Sequence, residues 1–173
     1  MFIIVMGVSG VGKTTIGAAL AKDLGWSFAD ADQFHPAANI EKMSRGIPLN
    51  DEDRQPWLEA IRSYMIERMG KGESGVVTCS ALKQKYRDVL SLNDDVKFVY
   101  LKGDYELILK RMQSRQHFMK PEMLKSQFET LEEPQGAVVV DVEKEIREIV
   151  KTVKRELAIT STTSSPSSPL HPR

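Results

Sequence analysis

Cysteine is almost missing from this 173-residue chain: Cys79 stands alone, so no internal disulfide can form and a reducing compartment is expected. A net charge of either sign is missing too, because 24 basic residues balance 24 acidic ones. Without a basic excess, neither nucleic acid nor an anionic membrane surface is an expected partner. No apolar run approaches the roughly 20 residues that span a bilayer. The first apolar run begins at Phe2, which is read as leaving no room for a signal or transit peptide ahead of it. No internal repeat is visible. These absences predict a soluble, cytoplasmic protein. What is present is ordinary for a globular enzyme, with 41% hydrophobic and 28% charged residues, enough for one domain with a sizeable core.

The most informative stretch is Gly7-Val8-Ser9-Gly10-Val11-Gly12-Lys13-Thr14, which spells G-x-x-x-x-G-K-T, followed by Thr15. This is the pattern of a phosphate-binding P-loop. Its flanks fit: Phe2–Met6 reads as a buried parallel strand, and Ile16, Leu20 and Leu24 recur at helical spacing up to a Gly25 C-cap. Glycines let backbone N–H groups curl around a phosphate, and the helix N-terminus adds positive potential. Lys13 is expected to reach the β- and γ-phosphates of a nucleotide, and Thr14 to hold Mg²⁺. Neither an Asn-Lys-x-Asp guanine motif nor an Asp-x-x-Gly switch occurs, which argues against a GTP-dependent switch.

Further along, residues 26–32 read as a second strand ending in acids, and 76–79, 96–101 and 137–140 as three more. Helices are predicted over 82–90 and 143–157, behind Asp104 as a cap, and after Asn50, which is followed by acids suited to a first turn. Trp57, Leu58, Ile61, Tyr64, Met65 and Met69 form the apolar face of that last helix. Strands alternating with helices predict a parallel α/β sheet with the P-loop at its carboxyl edge, where ligands bind. The kinase-sized domain is placed at 1–159. The Ser/Thr/Pro-rich stretch 160–173 has almost nothing to bury and is expected to be disordered. The pair Asp30-x-Asp32 sits at a strand end. Two carboxylates there can divide the work, one toward a metal and one toward an acceptor hydroxyl, or they can simply mark a turn.

Several stretches together resemble the gluconokinase family. They are His35–Asn39, Lys42-Met43, Gly46–Arg54 and Pro56–Leu58; Cys79–Lys83 with Tyr86-Arg87-Asp88; and Gln127–Glu132, all in family order within residues 1–134. The resemblance implies a three-layer fold similar to that of shikimate and nucleoside-monophosphate kinases, with a five-stranded sheet in the order 2-3-1-4-5. It implies a helical substrate-binding segment at 36–69 and a lid at 113–126. It also implies ATP- and Mg²⁺-dependent phosphorylation of D-gluconate to 6-phosphogluconate, which feeds the pentose phosphate pathway, and a homodimer.

On the same basis Asp30 is assigned to the metal side and Asp32 to the acceptor. Gluconate is an anion, so Arg54, Lys83 and Arg87 are candidates for its carboxylate and His35 for its hydroxyls. Arg111 is expected near adenine, Arg115 on the transferring phosphoryl group, and His117 on the substrate. Where the family carries Arg-x-Gly-His-Phe, this chain reads Arg115-Gln116-His117-Phe118, one residue shorter and without the glycine.

Overall fold

Why the first strand lies at the centre of the molecule follows from its composition. Phe2-Ile3-Ile4-Val5-Met6 has no polar side to offer, and all five residues of β1 (Phe2–Met6) are fully buried. A strand of this kind must be covered on both faces, as in a parallel sheet flanked by helices. The computed structural model describes residues 1–115 and 121–160. The heart of the expected lid, 116–120 with His117, and the expected tail beyond Thr160 lie outside the described residues.

The chain runs β1, α1 (Lys13–Leu24), β2 (Ser27–Asp30), α2 (Ala37–Ser44), α3 (Asp51–Gly70), β3 (Gly75–Thr78) and α4 (Gln84–Leu90). It continues through β4 (Val96–Lys102), α5 (Tyr105–Ser114), α6 (Pro121–Thr130), β5 (Val138–Asp141) and α7 (Ile146–Glu156). The five strands form one sheet in the order β2-β3-β1-β4-β5, with every pairing parallel. This is the order that the family resemblance implies. It brings the carboxyl ends of β1, β2 and β3 together above the loop that follows β1.

Because side chains alternate along a strand, β1 feeds two separate cores. Ile3 and Val5 join Ile16 and Leu20 of α1, Ile108 and Met112 of α5, Leu124 of α6, and Ile149 and Val153 of α7. Phe2, Ile4 and Met6 face the other way, against Trp57, Leu58, Ile61 and Met65 of α3 and Tyr86 and Leu90 of α4. The result is three layers, helices on both faces of a sheet.

Several boundaries differ from the sequence expectation, each for a local reason. β2 stops at Asp30 rather than Asp32, and a 3₁₀ turn covers Ala31–Phe34. The Asp30 carboxylate accepts the Asp32 N–H at 2.9 Å and so turns the chain out of the strand. α4 begins at Gln84 rather than Leu82, because Lys83 is extended and serves as the helix N-cap. α7 begins at Ile146 rather than Glu143, whose N–H is held by Asp141 at 2.8 Å. The α3 start matches its sequence signal. Asn50 accepts the Asp53 N–H at 2.8 Å and Asp53 accepts the Asn50 N–H at 3.0 Å, a reciprocal capping box.

Gly17 marks where α1 presses hardest on the sheet. A β-carbon there would lie 2.6 Å from Thr78 Cγ2 and 3.1 Å from the Phe28 ring. Gly17→Ala is expected to lower the free energy of unfolding by about 1 kcal/mol, since overpacking outweighs the helix-propensity gain. A denaturant midpoint at or above that of the parent would contradict this packing.

Candidate active site

The loop Gly7–Gly12 leaves β1 and enters α1 without a side-chain cap, so the first N–H groups of α1 remain available to an anion. Gly12 occupies the helix N-cap with φ 103°, a backbone state that side chains resist. Gly10, at φ 78°, also has no room for a β-carbon, which would meet Met112 Cγ at 2.5 Å. Lys13 folds over its own loop, donating to the carbonyls of Gly7 at 3.1 Å and Val8 at 3.0 Å. Burial pulls the Lys13 ammonium below its usual pKa, opposed by the negative charges of Asp30 and Asp32 among others.

A cavity of about 360 Å³ opens over this loop, lined by Ser9, Gly10, Lys13, Thr14, Asp30 and Asp32, with Arg115 at its rim. Thr14 Oγ1 donates to Asp30 Oδ2 at 3.0 Å, which puts the two residues assigned to a metal side by side. A second cavity of about 540 Å³ adjoins it behind Gly10 and Gly12, lined by Arg111, Arg115, Val142, Lys144 and Arg147. Arg111 is held there by its bond to the Val142 carbonyl at 2.8 Å. Arg115, the residue that ends α5, borders both cavities.

The turn after β2, which brings Asp32 to the cavity, packs against the start of α3. His35 stacks on the buried Trp57 ring, centroids 4.4 Å apart and planes within 10°. Trp57 itself is pinned by donating to the Ala31 carbonyl at 2.7 Å. Burial pushes the His35 imidazole pKa down; Asp32 works against this and Arg54 adds to it, so all three groups share one electrostatic neighbourhood. Arg54 donates to the Tyr86 hydroxyl at 3.2 Å and lies 5.6 Å from its ring centroid. Tyr86 in turn donates to Asp51, and burial together with that bond raises the phenol pKa to about 12.

Two of the residues proposed for the substrate carboxylate are engaged elsewhere. Arg87 is 2% exposed, and its guanidinium donates to the carbonyls of Ala81 at 2.7 Å, Leu82 at 3.2 Å and Glu132 at 2.8 Å, and to Gln84. The structure therefore corrects the expectation for Arg87: it braces the corner between β3 and α4, where unpaired carbonyls would be costly to bury. Lys83 lies 3.4 Å from Asp51, an acid it shares with Lys85, and does not line the cavity. The rationale for the Asp30–Asp32 pair also changes. The two do not alternate along one strand, because Asp32 belongs to the 3₁₀ turn, yet both reach the same cavity.

Residues that the sequence analysis gave no role at the site complete the cavity. Thr78, Cys79 and Ser80, at the end of β3, form part of its wall. The parallel order places that strand end between those of β1 and β2, which is the one signal that could have found them. The Thr78 hydroxyl is buried without a hydrogen-bond partner. Among the described residues no group of three or more His, Cys, Asp or Glu is arranged to hold a metal by itself. None of the described helices is long and apolar enough to cross a membrane.

A P-loop at the carboxyl edge of a 2-3-1-4-5 sheet, facing acids across a cavity, defines a P-loop kinase of small molecules. A model of the shikimate kinase family matches residues 9–158. The thermosensitive gluconokinase of Escherichia coli is 48% identical over 88% of this chain and 84% of its own length. A probable gluconokinase of Xenopus tropicalis is 42% identical over 91% of this chain and 93% of its own. The crystal structure of a gluconokinase from Sinorhizobium meliloti superposes with a TM-score of 0.82 at 46% identity, covering 90% of each chain. The chain belongs to the gluconokinase family.

Cys79 offers a direct check of the cavity wall. It is 2% exposed, and burial pushes its thiol up to about 12. At pH 8 the thiolate is then about one part in 10⁴. Iodoacetamide at pH 8 is expected to leave the native protein unmodified and to label Cys79 only after unfolding, read by intact mass. Labelling of the native protein at the rate of a free thiol would contradict the burial.

Proposed function

We propose that this chain transfers the γ-phosphoryl group of ATP to the 6-hydroxyl of D-gluconate, giving 6-phosphogluconate and ADP for the pentose phosphate pathway. The observation that carries this reading is the packing that follows Asp32, which lines the P-loop cavity: His35 stacks on Trp57 of α3, three residues from Arg54, and Asp32 and Arg54 both act on the His35 ring. It offers an acid for a hydroxyl, a ring for a polyol and a cation for a carboxylate, the three needs of a sugar-acid acceptor. The chain's likeness to gluconokinases supports the same acceptor. Residues 36–69 act as the acceptor-binding segment. A cytoplasmic, homodimeric enzyme completes the reading, the first property expected from the composition and the second from the family resemblance.

In this reading the P-loop N–H groups and Lys13 bind the phosphates and neutralise charge that spreads onto the transferring group. Arg111 stands on the adenine side and Arg115 over the phosphoryl group. Thr14 and Asp30 would hold Mg²⁺, which would supply neutralising positive charge to the phosphates. Asp32 orients the acceptor hydroxyl and accepts its proton as the new oxygen–phosphorus bond forms. The bond to the β-phosphate oxygen breaks at the same time, and ADP leaves with that electron pair. Positioning dominates such a reaction, so each of these residues acts chiefly by geometry.

Coupled ADP release with Mg-ATP tests the reading, comparing D-gluconate with shikimate, nucleoside monophosphates and no acceptor. Gluconate-dependent turnover well above the others is expected; equal rates with and without gluconate would sink it. Asp32→Asn is expected to lower kcat by about 10²-fold or more with little change in ATP affinity, the usual scale for a positioned base. An unchanged kcat would remove Asp32 from the transfer step. Arg54→Ala is expected to raise the KM for gluconate by about tenfold or more, as for loss of a charge-assisted bond. Unaltered gluconate kinetics would move the carboxylate site away from Arg54.

A further inference from the structure

The middle of the P-loop is held from a distance of 118 residues. Ser9 donates its backbone N–H to Gln127 Oε1 at 2.7 Å, and Gln127 Nε2 donates back to Ser9 Oγ at 2.9 Å. This pair of bonds fastens a segment that is otherwise permissive, since Gly7, Gly10 and Gly12 all take positive φ around it. Gln127 is itself on a firm base. α6 is anchored by the fully buried Leu124 and by Phe128, whose ring meets Tyr105 edge-on at 5.7 Å.

The same helix also reaches the other wall of the cavity. Two residues past its end, Glu132 donates its N–H to the Leu82 carbonyl at 2.8 Å and accepts the Gln84 N–H on its carboxylate at 2.6 Å. Its carbonyl accepts from the buried Arg87 at 2.8 Å. The corner so braced follows directly on Cys79 and Ser80, which line the phosphate cavity. α6 and the two residues that follow it therefore hold both the loop after β1 and the corner after β3.

We propose that Gln127 is a positioning residue for phosphoryl transfer, which fixes Ser9 and, through α6 and Glu132, keeps the P-loop in register with the β3–α4 corner. An amide suits the place chemically. It accepts from an N–H and donates to a hydroxyl at once, and it brings no negative charge to a loop that binds phosphates. The inference rests on the P-loop of this chain binding a nucleotide; the acceptor's identity does not enter it.

The test is Gln127→Met, which keeps the length of the side chain and removes both bonds. Mg-ATP affinity is measured by calorimetry on folded protein, beside steady-state kinetics and the thermal midpoint. The expected result is a Kd for Mg-ATP raised about tenfold, with the gluconate KM within twofold of the parent. In a double-mutant cycle, Ser9→Ala added to Gln127→Met is expected to cost nothing further, because both changes act on one linkage. A lowered thermal midpoint with unchanged Mg-ATP affinity, or fully additive effects of the two substitutions, would reduce Gln127 to a stabilising contact and overturn the proposal. Should Gln127→Met fail to fold, Gln127→Glu replaces it. The carboxylate still accepts from the Ser9 N–H and hydroxyl, so folding is retained, and its charge is expected to raise the Kd for Mg-ATP more than tenfold. An unchanged Kd in that variant would equally overturn the proposal. A parent that binds Mg-ATP yet ignores gluconate would sink the acceptor assignment alone and leave this test intact.

Discussion

A lysine ammonium drawn partly out of water favours anions close by, and the strand ends around this loop supply them. Lys13 is drawn into its loop by two carbonyls, and its loss of hydration is countered by Asp30 and Asp32. Those acids come from a different strand. β2 does not touch β1; β3 lies between them, and the parallel order brings all three carboxyl ends to one edge. The fully apolar β1 fixes the middle of the sheet, the sheet fixes where the acids emerge, and the acids offset the lost hydration of a half-buried cation. A phosphate bound at the same place would meet a positive charge already positioned, with little reorganisation left to supply.

The parts of this site that the sequence discloses are those in which one short segment does the whole job. The P-loop glycines, the Asn50–Asp53 capping box and the apolar strand β1 each carry their physics within a few residues. The sheet order came from likeness to a family, and the pairing of strands agrees with it. Long-range partnerships stayed hidden. Arg87 in a motif reads as a ligand for an anion, but only the folded chain brings the Ala81, Leu82 and Glu132 carbonyls around it. A guanidinium looks the same in sequence whether it faces substrate or four backbone and side-chain acceptors. Gln127 is legible as part of a family stretch, while its partner Ser9 lies in a motif normally read for phosphate alone.

The corner between β3 and α4 shows how a small local strain is held in place. Ala81 sits at a positive φ that costs an ordinary residue about 1 kcal/mol or more. Arg87 holds the Ala81 carbonyl from within the same turn, and Glu132 ties the corner to the chain beyond α6. The network of Asp51, Tyr86 and Arg54 then links α4 to the start of α3. Asp51 is held below the usual carboxylate range, first by its bond to Lys85 and next by Tyr86, so this network is intact at neutral pH and weakens as Asp51 takes up a proton in acid.

The division of β1 between two cores has an evolutionary consequence. The helices on the P-loop side, α1 and α5, pack on Ile3 and Val5, whereas α3 and α4, where the acceptor site is proposed, pack on Phe2, Ile4 and Met6. Substitutions that reshape one core leave the other largely undisturbed, because distant changes combine almost additively. A lineage can therefore exchange one acceptor for another by rebuilding a single face of the sheet, with its phosphate chemistry inherited whole.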